Sequence, residues 1–266
     1  MGESIGILSI KGGVGKTTAT AALGSALAQM GKHVLLIDAN FSAPNLALHL
    51  GIVNPAYSMH EVLQNKANAL GAVVETDYGF DVIPGRLGLK KVFYPDYLKL
   101  KEKIQHLRYH YDMILIDSSP TLDHETLAAM LASDRLLMVT TPDHVTLSCT
   151  LHAIKVAKQK KIPIAGIILN RVYNKKFELG IEDIEKMTGV PVLAVIPHDT
   201  DFPKALSELK PSTFEAKESD AVVEYKKLAA YLIGMNYDDK RFITKIKNMF
   251  SRVLPKQEVN RQISKI

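Results

Sequence analysis

Short apolar runs alternate along this chain with longer stretches whose apolar residues recur every three or four positions. Ile5 to Leu8, Val34 to Ile37, Phe80 to Ile83, Met113 to Ile116, Leu136 to Thr140, Ile164 to Leu169 and Val192 to Ile196 have the length of buried strands. Ala19 to Met30, Ser58 to Lys66, Tyr97 to Leu107, Glu125 to Leu131, Val145 to Lys160, Gly180 to Thr188 and Ser219 to Leu232 have the length or spacing of helices. The alternation predicts a single α/β domain: a mostly parallel, twisted sheet with helices on both faces. No repeat and no low-complexity linker interrupts it before Gly234. The expected organisation is therefore a body over residues 1–236 and a tail over residues 237–266. Ligands of such sheets bind at the carboxyl ends of the strands. Asp38, Asp117, Asn170 and Asp199 stand at those ends, which points to one shared site.

Composition narrows the classes. Of 266 residues 47% are hydrophobic, enough for a substantial core. No apolar run approaches the ~18 residues of a spanning helix, and no leader peptide is expected. A single cysteine, Cys149, excludes an intrachain disulfide, a cysteine-based zinc cluster and a cysteine-ligated iron–sulfur centre within one chain. A cytoplasmic protein is expected.

Net charge is +5, but Lys240 to Ile266 holds eight Lys or Arg and one acid, so the body is close to neutral. In that tail Phe242, Ile243, Ile246, Met249, Phe250, Val253 and Leu254 follow helical spacing and fill an arc of roughly 140°. Lys240, Arg241, Lys245, Lys247 and Arg252 lie on its flanks and opposite face, and Pro255 ends it. The pattern predicts a C-terminal amphipathic helix lying on an anionic membrane surface. Packing of the stripe on the body or on a partner helix is the alternative. Nucleic acid is the less favoured partner, because the body carries no basic excess.

The densest chemistry lies between the first strand and the first helix. Ser9-Ile-Lys11-Gly-Gly-Val-Gly-Lys-Thr-Thr18 is a glycine loop in strand–loop–helix context. Glycines without Cβ atoms let backbone N–H groups close around phosphate oxygens, and the helix adds its own N–H groups and positive end. Lys16 reaches β- and γ-phosphates, and the Thr17 hydroxyl ligates Mg²⁺.

Lys11-Gly-Gly-Val-Gly-Lys-Thr-Thr18 resembles the deviant Walker A motif of the MinD/ParA family of P-loop ATPases, most of all its MinD branch with the archaeal relatives. The resemblance runs from about Ser4 to about Gly234. It implies the P-loop NTPase fold, ATP and Mg²⁺ as cofactors, and an ATP-dependent homodimer. It also implies reversible attachment to the inner face of the cell membrane and a protein regulator or cargo of unknown identity.

Carried over residue by residue, Gly12, Gly13, Val14, Gly15, Lys16, Thr17 and Thr18 cradle the nucleotide. Lys11 is the family's signature lysine, reaching phosphates bound by the second subunit; an exposed lysine is its bland reading. Asp117 holds Mg²⁺ through water, or else N-caps the next helix. Asp38 lies near the metal or attacking water and is a further candidate ligand. Pro44 and Asn45 shape the same loop. Asn170 reads the adenine edge, or caps a turn, and Pro197 and Asp199 cover the base. Asn170-Arg171-Val172-Tyr173 lacks the acid of a guanine reader, which favours ATP over GTP.

One position departs from the family. Asp38-Ala39-Asn40 stands where the MinD branch usually has two acids. An amide holds a water without charge, so the expectation is slow hydrolysis with ATP binding and dimerisation retained. The expected function is an ATP-driven switch that positions or regulates a division, motility or chemosensory assembly. A DNA-partitioning ATPase like ParA, or an ATP-binding scaffold with negligible turnover, are the alternatives.

Overall fold

Strand side chains alternate between two cores, one on each face of a single sheet. In the computed structural model, residues 1–86, 96–211, 213 and 219–239 are described. The elements are β1 (Glu3–Leu8), α1 (Lys16–Gln29), β2 (Val34–Ala39), α2 (Leu46–His49), α3 (Met59–Leu63), β3 (Val74–Glu75) and β4 (Asp81–Ile83). They continue with α4 (Leu100–Ile104), β5 (Met113–Ser118), α5 (His124–Leu131), β6 (Arg135–Thr140), α6 (His144–Gln159) and β7 (Ile164–Val172). The chain then forms α7 (Ile181–Thr188), β8 (Val192–Pro197), α8 (Asp201–Ser207) and α9 (Asp220–Leu232).

The eight strands lie in the order β3-β4-β2-β5-β1-β6-β7-β8. Every described pairing is parallel except β3 with β4 at one edge. On one face Ile5, Ile7, Leu36, Leu115, Leu137 and Val139 meet the apolar sides of α1 and α9. On the other, Leu35, Ile37, Ile114 and Ile116 meet α3, α4 and α5. Further along that second face, Leu136, Met138, Ile167 and Leu169 meet α6 and α7. Burial on both faces makes the strands continuously apolar, which is why they stand out in the sequence.

Three local features depart from the pattern reading. Tyr97 to Leu107 is not one helix: a 3₁₀ turn at Tyr97–Lys99, the five-residue α4 and a second 3₁₀ turn at Gln105–Tyr109 share it. They still bury Leu100, Ile104 and Leu107. β3 has two residues, too few for any periodicity. α8 contains Pro203, which punctuates the sequence like a turn but sits in the first helical turn, where its missing N–H has no partner to lose. The amphipathic stripe from Phe242 to Leu254 lies outside the described residues. Among those described, no helix is long and apolar enough to cross a membrane.

Candidate phosphate and metal site

The two-residue period of the strands builds the acidic half of the site. Asp38 is in phase with Val34 and Leu36, and Asp117 with Met113 and Leu115, all on the α1 side of the sheet. The β2–β5 register pairs Asp38 directly with Asp117, and both are fully buried. Asn170 is in phase with Ile168 and reaches the same side.

The helix α1 starts at Lys16 behind Gly15, whose φ of 92 and ψ of 25 lie in the left-handed region that glycine tolerates. A Cβ on Gly15 would also stand 2.4 Å from Asn170 Nδ2, so close packing demands glycine a second time. No side chain caps this helix, and its first turn carries no acid. Its leading N–H groups are therefore left for an anion. A Cβ on Gly12 or Gly13 would meet nothing within 4 Å, so the loop faces open space.

Asp117 is the hub. Its Oδ1 accepts from Lys16 Nζ at 2.6 Å and lies 3.1 Å from Thr20 Oγ1. Its Oδ2 lies 2.7 Å from the Thr17 hydroxyl, which is also 3.1 Å from Asn45 Oδ1. Asp117 is thus no helix cap. Asp123 caps α5 instead, accepting from the Glu125 and Thr126 N–H groups.

Asp38 organises the following loop. Oδ1 accepts from Asn40 N at 3.0 Å, and Oδ2 from Asn45 N and Leu46 N, each at 3.0 Å. Burial, together with the Asp117 carboxylate, pushes the Asp38 carboxyl up to about 7, against the backbone donors and the Lys16 charge. Two buried carboxylates and one ammonium leave the pocket short of positive charge.

Asn40 Nδ2 donates to Ala43 O at 2.6 Å, while its buried Oδ1 has no partner. Phe41 stacks on Tyr97 with centroids 4.7 Å apart, and its carbonyl accepts from His60 Nε2 at 3.1 Å. His60 Nδ1 accepts from Arg86 N at 3.1 Å, which fixes the neutral tautomer.

The remaining expected residues take varied places. Asn170 Nδ2 donates to Val14 O at 2.7 Å, so this amide supports the phosphate loop from below. Lys11 is half-exposed beside the first turn of α6. Its Nζ donates to Thr146 Oγ1 at 3.0 Å and lies 4.0 Å from Asp143 Oδ1. Thr18 follows in the first turn of α1. Pro197 ends β8, and Asp199 turns the chain into α8 by accepting from Asp201 N at 2.9 Å. Beside them Tyr173 and His198 stack at 4.5 Å.

Thr20 at the site, and His60 and Glu125 against the loop that follows β2, carry contacts that the sequence pattern does not indicate. Thr20 carried a usable signal, since it stands one turn beyond Lys16. The partners of His60 and Glu125 are brought together only by the fold.

Hard oxygen donors from Thr17, Asp38 and Asp117 suit Mg²⁺ rather than a softer metal. Among the described residues no three His, Cys, Asp or Glu side chains gather as a protein-only metal site. The uncapped helix, the open glycine loop and the negative pocket behind it together fit a magnesium nucleotide.

The family model for the CobQ/CobB/MinD/ParA nucleotide binding domain matches residues 5–212. A Methanocaldococcus jannaschii protein named as an ATP-binding protein is 35% identical over 259 residues, 95% of this chain and 98% of that one. The crystal structure of the Pyrococcus furiosus cell division ATPase MinD is 35% identical with a TM-score of 0.83, covering 88% of this chain and 99% of its own. The septum site-determining protein MinD of Pyrococcus horikoshii, complexed with Mg-ADP, is 33% identical with a TM-score of 0.82, covering 95% of this chain and 100% of its own.

Proposed function

This chain belongs to the CobQ/CobB/MinD/ParA nucleotide-binding family, and on that footing we propose that it is a MinD-like ATPase: a switch that binds Mg-ATP, dimerises, attaches to a membrane and turns over slowly. The observation that carries this reading is the Lys16–Asp117–Thr17 cluster beneath an open, uncapped glycine loop.

Lys16, the first residue of α1 behind the glycine loop, is held 2.6 Å from Asp117. With nucleotide bound its ammonium would pair with the β- and γ-phosphates instead. Thr17 would ligate the cation and Asp117 would hold it through water, with Asp38 as a further candidate ligand. Bound Mg²⁺ supplies positive charge to the phosphate oxygens and orients them. Asn45 and Leu46 keep Asp38 fixed through their N–H groups. Asn170 braces Val14, and its free carbonyl, with Pro197 and Asp199, would face the base. Lys11 is half-exposed at the open side of the loop and would reach the phosphates of a second subunit.

Asn40 sets the rate in this reading. Its unpartnered Oδ1 can accept from a water, but an amide polarises that water less than a carboxylate. The cell division ATPase identity of the Pyrococcus furiosus relative supports a positioning role in division or a comparable assembly.

Displacement of a fluorescent ATP analogue, followed by steady-state turnover, tests the reading. ATP is expected to displace the analogue and GTP to fail. Asn40→Asp is expected to raise kcat severalfold and to lower Tm, since the new carboxylate faces the Ala43 carbonyl that Nδ2 now satisfies. No displacement by ATP refutes nucleotide binding, and an unchanged kcat removes Asn40 as the limit on rate.

A further inference from the structure

Glu125 stands in the first turn of α5 with only 4% of its surface exposed. Burying a carboxylate is costly unless its oxygens find strong donors. Here both find the same residue. Oε2 accepts from the Ser42 backbone N–H at 3.1 Å, and Oε1 accepts from the Ser42 hydroxyl in a shorter contact. These are charge-assisted bonds, about twice as strong as neutral ones, and the positive end of α5 favours the same charge. The helix does not need this carboxylate for capping, because Asp123 already fills that role.

Ser42 lies between the two residues joined by the Asn40 Nδ2 to Ala43 O bond. Fixing Ser42 therefore fixes the direction of the buried, unpartnered Asn40 Oδ1. The anchor also comes from the far side of the sheet. α5 packs through Ala128 and Ala129 on the face opposite α1. Asp38 and Thr17 hold the loop from the phosphate side, and Glu125 holds it from the other layer.

We propose that Glu125 is a positioning residue: its carboxylate clamps Ser42 so that the loop over residues 40–45 presents Asn40 to the attacking water. This rests on the ATPase reading above. Glu125 spends its hydrogen bonds on Ser42 and makes none to the glycine loop, Lys16, Thr17 or Asp117, so the clamp acts on the rate of turnover and leaves nucleotide affinity alone.

The test uses the full chain. Glu125→Gln keeps the side-chain length but loses one acceptor. Glu125→Asp keeps the charge but is one methylene too short to reach. Both are expected to lower kcat by about tenfold or more with KM within about twofold. Both are also expected to speed amide hydrogen exchange over residues 42–46. Ser42→Thr, which keeps the hydroxyl, is expected to stay near wild type, and Ser42→Ala to follow the Glu125 variants. Unchanged exchange in both Glu125 variants overturns the clamp. Faster exchange with unchanged kcat overturns its role in turnover. A wild-type chain that binds no ATP refutes the ATPase reading and with it the rate effect, while the exchange difference would still report the clamp.

Discussion

Lys16 and Asp117 form an ion pair that is buried on both sides, with 7% and 0% of their side chains exposed. Removing one partner of such a pair leaves an uncompensated buried charge, at a cost of about 3–5 kcal/mol. Lys16→Ala is therefore expected to lower Tm by about 10 °C without nucleotide and to abolish nucleotide binding. Thermal unfolding followed by circular dichroism checks the first effect, and an unchanged Tm would contradict the pairing. Lys16, Thr17 and Asp117 were legible in the sequence because glycine spacing and a strand end mark them. His60 was not, since a lone histidine between Met59 and Glu61 carries no pattern. Only the fold brings it against Phe41, 19 residues away, and Arg86, 26 residues away. The family resemblance implies that Asp117 holds Mg²⁺ through water. Its direct contacts with Lys16 and Thr17 depend on the β5 register and could not be read from spacing.

At the scale of elements, the loop after β2 is held against the end of β4 by a contact only glycine allows. A Cβ on Gly85 would stand 2.3 Å from Pro44 Cβ and 3.5 Å from Asp38 Cγ. Pro44 is a ring and cannot rotate aside. Gly85→Ala is expected to cost about 1–3 kcal/mol and to weaken Mg-nucleotide binding by displacing Pro44 and with it the Asn45 and Leu46 N–H groups that hold Asp38. Titration calorimetry with Mg-ADP measures the affinity; an unchanged affinity would show that the loop moves without Asp38. Strands and long helices were legible because burial on both faces or on one stripe leaves a strong period. The two-residue β3, the proline-bearing α8 and the broken helix around α4 were not, because tertiary packing rather than local pattern defines them. The same limit applies to the Ser42–Glu125 tie, which joins positions 83 residues apart.

For the whole molecule, the parallel order of the sheet places Asp38, Asp117, Asn170 and the turn at Asp199 along its carboxyl edge, as the pattern reading expected. Lys11 lies half-exposed at that edge. In the proposed switch this edge would meet a second copy and the tail would meet lipid, and weak attachment through each chain would make the two events interdependent. The most direct measurement combines flotation on anionic liposomes with sedimentation velocity on the same samples, in Mg-ATP, Mg-ADP and no nucleotide, for wild type, Lys11→Ala and Phe250→Glu. A dimer and lipid binding are expected for wild type in Mg-ATP alone. Neither is expected for Lys11→Ala, and Phe250→Glu is expected to dimerise without binding lipid. A wild-type chain whose mass and lipid binding are the same in Mg-ATP and Mg-ADP would refute the switch.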